Sequence, residues 1–267
     1  MSRGHVILAR EAPFGVIFRR GPSKQVLLIS WNTGTDTFAM GQWFKGRIYE
    51  RRCDLSPSGD LPLYFAGNQK PPYSTWSAIS RPPFLTALAL WPQGHTYGGG
   101  GLFENDTHIA FDGTHSLPDG FALPQWLRVG TFEERISWAQ NDAVWEARLL
   151  REGWMVTSDE FREKRHPVLP SRYTLTMTLP EPFDFAGDQM AHYVVSGGLC
   201  FGPGKSDWAD WDRTGDLLFS KLGALYRVRF SNGALAPIEE AQQLSDFSSM
   251  RFENVVAPPA ALHWPVR

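Results

Sequence analysis

Three features of this sequence predict an all-β chain assembled from repeated small sheets. Short runs alternate apolar and polar residues with period two, clusters of turn residues separate them, and one turn motif recurs. The alternation is cleanest over residues 173–179, where Tyr173, Leu175, Met177 and Leu179 share one face and three threonines the other. Successive side chains of a strand point to opposite sides, and β-branched residues pack well on a pleated surface, so this run reads as a half-buried strand.

Along the chain, further strands are expected over residues 25–30, 47–55, 61–66, 75–80, 144–149, 190–195 and 224–230. Between them lie turn clusters at Gly21-Pro22, residues 57–60, residues 98–101, Asp112-Gly113 and residues 231–233. The 25 Gly and 20 Pro make about 17% of the chain where about 12% is usual, which fits many tight turns. Residues 131–150 admit two readings. Thr131 to Glu134 has capping-box form, Phe132, Ile136, Ala143, Ala147 and Leu150 recur near helical spacing, and Gly153 offers a stop. The strand reading, residues 135–138 and 144–149 followed by 154–156, is preferred. Trp145, Ala147 and Leu149 alternate with Glu146 and Arg148, and Asn141-Asp142 suits a turn. A short helix is expected over residues 238–244.

The motif Asp54-Leu-Ser-Pro-Ser-Gly-Asp-Leu61 returns as Asp210-Trp-Asp-Arg-Thr-Gly-Asp-Leu217, with Asp, Gly, Asp and Leu at matched places. Looser echoes fall near Lys24, Asp106, Asp142 and Asp188. With Asp60 and Asp216 the successive gaps are 36, 46, 36, 46 and 28 residues. A period of about 40–50 residues is the size of a propeller blade. The prediction is one domain over residues 1–267, a single β-propeller of five or six blades with short peripheral helical pieces; the last gap implies a truncated blade or a miscounted echo.

Leu55-Ser-Pro-Ser-Gly-Asp-Leu-Pro-Leu-Tyr-Phe-Ala66 resembles the Ser-Pro-Asp-Gly turn and strand of the WD40-like repeats in TolB-type β-propellers, departing from that family at Ser58, where Asp is usual. The segment from Gly215 to Val228 resembles two adjacent strands of such a blade. The resemblance covers some 30 residues and implies a propeller. Propellers of this type perform many tasks, so it implies little about function.

Composition narrows the partners. Twenty-six Lys+Arg against 28 Asp+Glu give a net charge of −2, which supplies no electrostatic reason to bind nucleic acid or an anionic membrane. The longest apolar run near the start, residues 6–9, is too short for a secretory signal, and no window is apolar enough to span a bilayer. A cytoplasmic protein is expected. Cys53 and Cys200 stand far apart with no CxxC and read as lone buried thiols.

Several segments invite chemistry. Gly202-Pro-Gly-Lys-Ser206 fails as a phosphate loop, because Leu199 stands where the first glycine is needed; it reads as a glycine turn. Asp210, Asp212 and Thr214-Gly215 follow the start of a calcium loop, but Lys221 stands at the position of the closing Glu. Asp210 and Asp212 are therefore candidate Ca²⁺ ligands, against a plain Asp-rich turn that bonds its own backbone. His95, Glu104, Asp106, His108, Asp112 and His115 crowd one stretch without a recognised metal spacing. Gly98 to Gly101 let backbone pass close to a ligand or another chain, or form a lid.

Eleven Trp serve as core fillers or as ledges for sugars, bases or proteins. No nucleophile constellation is present, and the reading leans away from an enzyme. The expectation is a non-catalytic binding or scaffolding module that holds a protein segment or small ligand. Trp91, His95 and Tyr97 flank the glycine run, and Arg47 and Arg51 are anion partners. The alternatives are a carbohydrate hydrolase with central carboxylates, and a calcium-stabilised propeller; no other cofactor is expected.

Overall fold

The computed structural model describes the chain except residues 1, 23, 114–115, 132–142, 181–189 and 198–200, and the side chain of Phe201. Strands take 46% of the described residues and helix 8%, so the class is all-β. Two compact units are present: residues 6–148 with 251–267, here the N-terminal unit, and residues 149–250 with 1–5, the C-terminal unit.

The sheets follow one another in chain order. The first is β1 (Arg3–Leu8), β2 (Phe14–Arg20), β3 (Gln25–Asn32) and β4 (Thr37–Lys45), paired in that order. The second holds β5 (Arg47–Ile48), β6 (Asp54–Leu55), β7 (Pro62–Gly67), β8 (Thr75–Ile79) and β9 (Ala89–Pro92). A third comprises β10 (Gly101–Asn105), β11 (His108–Phe111) and β12 (Arg128–Thr131), the last pair being parallel. After helix α1 (Ala143–Arg151) comes an antiparallel meander of β13 (Trp154–Val156), β14 (Phe161–Arg165), β15 (Thr174–Thr178), β16 (Ala191–Ser196) and β17 (Phe201–Ser206). The last large sheet is β18 (Trp208–Trp211), β19 (Leu217–Lys221) and β20 (Ala224–Val228), then, past the small hairpin β21 (Phe230–Ser231) and β22 (Ala234–Leu235), β23 (Gln242–Asp246).

In the N-terminal unit the second sheet is buried on both faces, and every residue of β7 is buried. Tyr64, Ala66 and Ala78 join Val16, Phe18, Val26 and Leu28 of the first sheet in one core. Leu63, Ile79, Ala89 and Trp91 point the other way and pack with Phe103, Ile109 and Phe111 of the third sheet. Period-two alternation thus sends neighbouring residues into two separate cores. Each fully buried large side chain contributes about 1.5–3 kcal/mol.

The repeated motif closes two turns of one design. The peptide N–H of Gly59 donates to Ser56 O (2.8 Å), and that of Gly215 to Asp212 O (3.2 Å). A side-chain oxygen at the same place, Ser56 Oγ or Asp212 Oδ1, accepts a second N–H from Leu61 (3.1 Å) or Asp216 (2.9 Å). Both glycines have positive φ, +81° and +96°. A Cβ on Gly59 would lie 2.7 Å from the Phe14 ring and one on Gly215 2.5 Å from the His166 ring, so only glycine fits either place.

In the C-terminal unit His166 is 0% exposed. Its Nε2–H donates to Gly215 O (2.9 Å), while Nδ1 accepts from the N–H groups of Val168 (3.2 Å) and Leu169 (3.0 Å). Rings of Trp211, Phe230 and Tyr173 surround it. Residues 2–4 dock on the same unit: Ser2 Oγ donates to Ser248 O (3.0 Å), Ser220 Oγ to Gly4 O (2.5 Å), and Gly4 N–H to Asp207 Oδ2 (3.3 Å).

Residues 251–267 form a tail on the N-terminal unit, irregular apart from a 3-10 turn at Pro259–Leu262. Phe252 sits 6.1 Å from Trp43 and under the Lys45 ammonium at 4.1 Å. The Gln42 amide ties the tail to a loop: Nε2 donates to Val255 O (3.0 Å) while Oε1 accepts from Leu85 N, Thr86 N and Thr86 Oγ1. Trp264 packs edge-on against Trp126 at 5.9 Å. Arg267 lies over Trp126 (5.0 Å) and reaches Asp106 (3.1 Å) and Asp60 (3.7 Å). Two surface ion pairs, one aromatic pair and one cation–π contact together hold this end by about 2 kcal/mol.

Four local expectations are corrected. Residues 144–149 form helix α1 instead of a strand. Val144, Trp145, Arg148 and Leu149 are buried, a helical stripe, because Arg148, read as outward-facing, sends its guanidinium to the carbonyls of Glu50 (3.3 Å) and Cys53. Gly153 (φ +89°) ends that helix with its N–H on Leu150 O; residues 135–138 lie outside the described residues. Residues 47–55 are broken between β5 and β6 by a 3-10 turn at Glu50–Arg52, both ends of which are buried. Helix at 238–244 shrinks to a 3-10 turn, Ile238–Glu240, with no buried residue, and the following residues pair with β20 as β23. The glycines of residues 202–206 lie in strand β17 and not in a turn.

Candidate ligand-binding face

The break in residues 47–55 builds the candidate face. Bending the chain at Glu50–Arg52 puts Arg47, Tyr49 and Arg52 around one aromatic ring where a continuous strand would have strung them out. The Arg47 guanidinium lies 4.9 Å from the Tyr49 ring, and that of Arg52 5.6 Å from it. Tyr49 packs on Phe65 at 5.1 Å. Arg51 points to a different ring and lies 4.2 Å from the Trp145 face.

Arg52 is 5% exposed. Its Nη1 donates to Thr96 O (2.8 Å) and Gly98 O (2.5 Å), the carbonyls flanking Tyr97. From β8, Thr75 Oγ1 donates to His95 O (2.6 Å) and Ser77 Oγ accepts from Gly100 N (2.9 Å). The loop 95–100 is thereby fixed by three side chains beneath it. A Cβ on Gly99 would come within 2.5 Å of the Phe65 ring, and one on Gly100 within 2.2 Å of Arg52 O. The close approach that the glycine run permits is therefore to the chain's own Arg52 and Phe65.

On this base Tyr97 is 78% exposed and His95 lies beside it, ring centroids 6.2 Å apart. The structure thus joins His95, Tyr97 and Arg47 through Arg52 and Tyr49, while Arg51 lies on the buried Trp145. Trp91 stands apart from them: it is 2% exposed and packs on Phe111 at 4.6 Å, inside the core. Arg52 was missed by sequence reasoning because an arginine in an apparent strand reads as outward-facing. Chemically, the face offers aromatic rings and guanidinium groups, which together accommodate flat or anionic groups.

The other candidates are dispersed or engaged. Asp210 Oδ1 lies 2.6 Å from Lys164 Nζ and accepts from Trp211 N (2.7 Å). Asp212 Oδ1 accepts from Thr214 N, Thr214 Oγ1 and Asp216 N, as an Asp-rich turn does, and Oδ2 takes Arg227 Nη1 at 2.5 Å. Asp216 binds Arg227 (2.9 Å), Arg229 (3.0 Å) and Phe230 N (2.7 Å). His108 Nδ1 bonds Thr107 and Asn105, and Asp106 holds Ser58, so the His–carboxylate stretch does not converge; His115 lies outside the described residues. Among the described residues no three His, Cys, Asp or Glu side chains gather so as to hold a metal. Cys53 is fully buried, and that burial pushes its thiol pKa well up. No described helix is long and apolar enough to cross a membrane.

In comparisons with known proteins, the chain matches no family model and no curated protein sequence.

Proposed function

We propose that the chain is a non-catalytic binding module, a β-propeller of five or six blades whose face around Tyr97 holds a protein segment or small ligand bearing an anionic group. Supporting the propeller are the five larger sheets that follow in chain order and the second sheet's burial between two cores. One observation carries the binding reading. Tyr97 is 78% exposed, yet the peptide on either side of it is held by the buried Arg52. A large aromatic presented on a fixed backbone gives up little entropy on contact, which is what a recognition residue needs. His95, Arg47 and Arg51 complete the face, and Trp91 anchors the strand from which the loop leaves.

Phenyl phosphate, benzoate and inorganic phosphate serve as probes. Phenyl phosphate should raise the melting temperature in a saturable way. The response should vanish in Tyr97→Ala and fall in the Arg47→Ala/Arg51→Ala double variant. A response of equal size in all three chains, or none to any probe at millimolar concentration, overturns the reading.

A further inference from the structure

The two turns of the repeat are alike in backbone and unlike in the source of their arginine. In the C-terminal unit Arg227 comes from β20, is 2% exposed, and lies between Asp212 and Asp216. The corresponding strand of the N-terminal unit, β8, carries no arginine between Thr75 and Ile79. There the guanidinium comes from the tail: Arg267 reaches Asp60, the counterpart of Asp216, together with Asp106 and Ser58 Oγ (3.3 Å). Asp60 is 46% exposed by side chain where Asp216 is 5% exposed.

We propose that Ser58, Asp60, Asp106 and Trp126 form a displaceable docking site for a peptide segment carrying an arginine three residues after a tryptophan, occupied in cis by Trp264 to Arg267. Charge complementarity argues for this occupant. Two carboxylates and a hydroxyl face one guanidinium, and Asp106 is itself fixed by Ser58 N (3.1 Å) and Ser58 Oγ (2.8 Å), so the acceptors are set before the arginine arrives. Those hydrogen bonds and Arg267 hold the Asp106 carboxyl below its ordinary pKa, against the opposing effect of burial. The indole–indole contact of Trp264 with Trp126 supplies the second anchor. Between the anchors Val266 is fully exposed, and no ladder pairs residues 263–267 with a strand. The anchors are a half-buried indole, packed on the unit's core and donating to Ala122 O (3.2 Å), and a guanidinium in two ion pairs, so a competitor for the site has to carry both side chains.

The test uses a labelled synthetic peptide of residues 261–267 and the full chain. Anisotropy should show the peptide binding at least tenfold more tightly to the Trp264→Ala/Arg267→Ala chain than to the wild type, since the cis competitor is gone. Binding should be lost when the peptide's arginine is alanine, and with Asp60→Asn/Asp106→Asn added to the chain. A second measurement needs no altered tail. Excess peptide should speed amide exchange at His263, Trp264 and Val266 of the wild-type chain severalfold while β7 stays unchanged. Equal affinity for both chains, indifference to the peptide's arginine, or unchanged tail exchange overturns the proposal. So does a wild-type dimer in native mass spectrometry that the double tail variant abolishes, because it assigns the site to a second copy's tail.

Discussion

One nitrogen of Arg52 donates to the backbone carbonyls on both sides of Tyr97, those of Thr96 and Gly98. The exposed ring is thus positioned through its main chain by a buried cation. Hydrogen bonds from a charged donor are worth about 1.5–3 kcal/mol each, and their loss also leaves two acceptors unpaired. Arg52→Ala should therefore cost about 3 kcal/mol in urea unfolding and speed amide exchange at Gly98, Gly99 and Gly100. Unchanged exchange there would show that Arg52 does not hold the loop.

Two glycines of the same region separate conformational strain from steric contact. Gly94 has φ +80° and a Cβ there would meet nothing within 4 Å, whereas Gly100 has φ +86° and a Cβ there would lie 2.2 Å from the Arg52 carbonyl oxygen. Gly94→Ala pays only for left-handed backbone, about 1 kcal/mol. Gly100→Ala must also move the 3-10 turn that carries Arg52 or the loop itself, and should cost about 3 kcal/mol or more. Equal losses in the two variants would mean that the loop does not lie on Arg52.

Stability of the C-terminal unit should depend on pH in two opposite ways. His166 is held neutral, its pKa lowered chiefly by burial. Its native state resists the proton that the unfolded chain accepts, so stability is full above the ordinary histidine pKa and falls as pH drops below about 6.5. Asp207 has the reverse sign. Burial, the largest effect, pushes its pKa up to about 6, against the Gly4 N–H and Arg3. Its contribution is present below about pH 4 and is lost as pH rises through about 6. Asp207→Asn should abolish the second decline, leaving a chain that only loses stability on acidification below about pH 6.5. An unaltered profile in that variant would contradict the burial of Asp207.

Strands were most legible where β-branched or apolar residues alternate cleanly with polar ones, while others, such as β1 and β14, were not expected. Residues 173–179 show that alternation, and β15 pairs there with β14 and β16. Two of the four failures fall at buried arginines. Arg148 and Arg52 look polar, and each is buried because it feeds backbone carbonyls, so period counting assigns them to the wrong face. The repeat was legible because its turn depends on local residues: a glycine at positive φ and a side-chain oxygen three places earlier. What the turn's aspartate meets differs between the copies: Arg227, 11 residues on and within the same meander, in one, and Arg267, from the tail, in the other. In the candidate face, Arg47 and Tyr97 stood in view, while the residue joining them did not.

The tail's anchors also set an order of events in folding. Gln42 and Val255 are 213 residues apart, Trp264 and Ala122 142, and Arg267 and Ser58 209. Contacts so distant demand loop closure that sheets made of neighbouring strands do not. Hairpins such as β2–β3 form from local sequence and need no help from residues 251–267. The tail therefore arrives on a surface already built, as the closing step of folding and the first to reverse under mild denaturation.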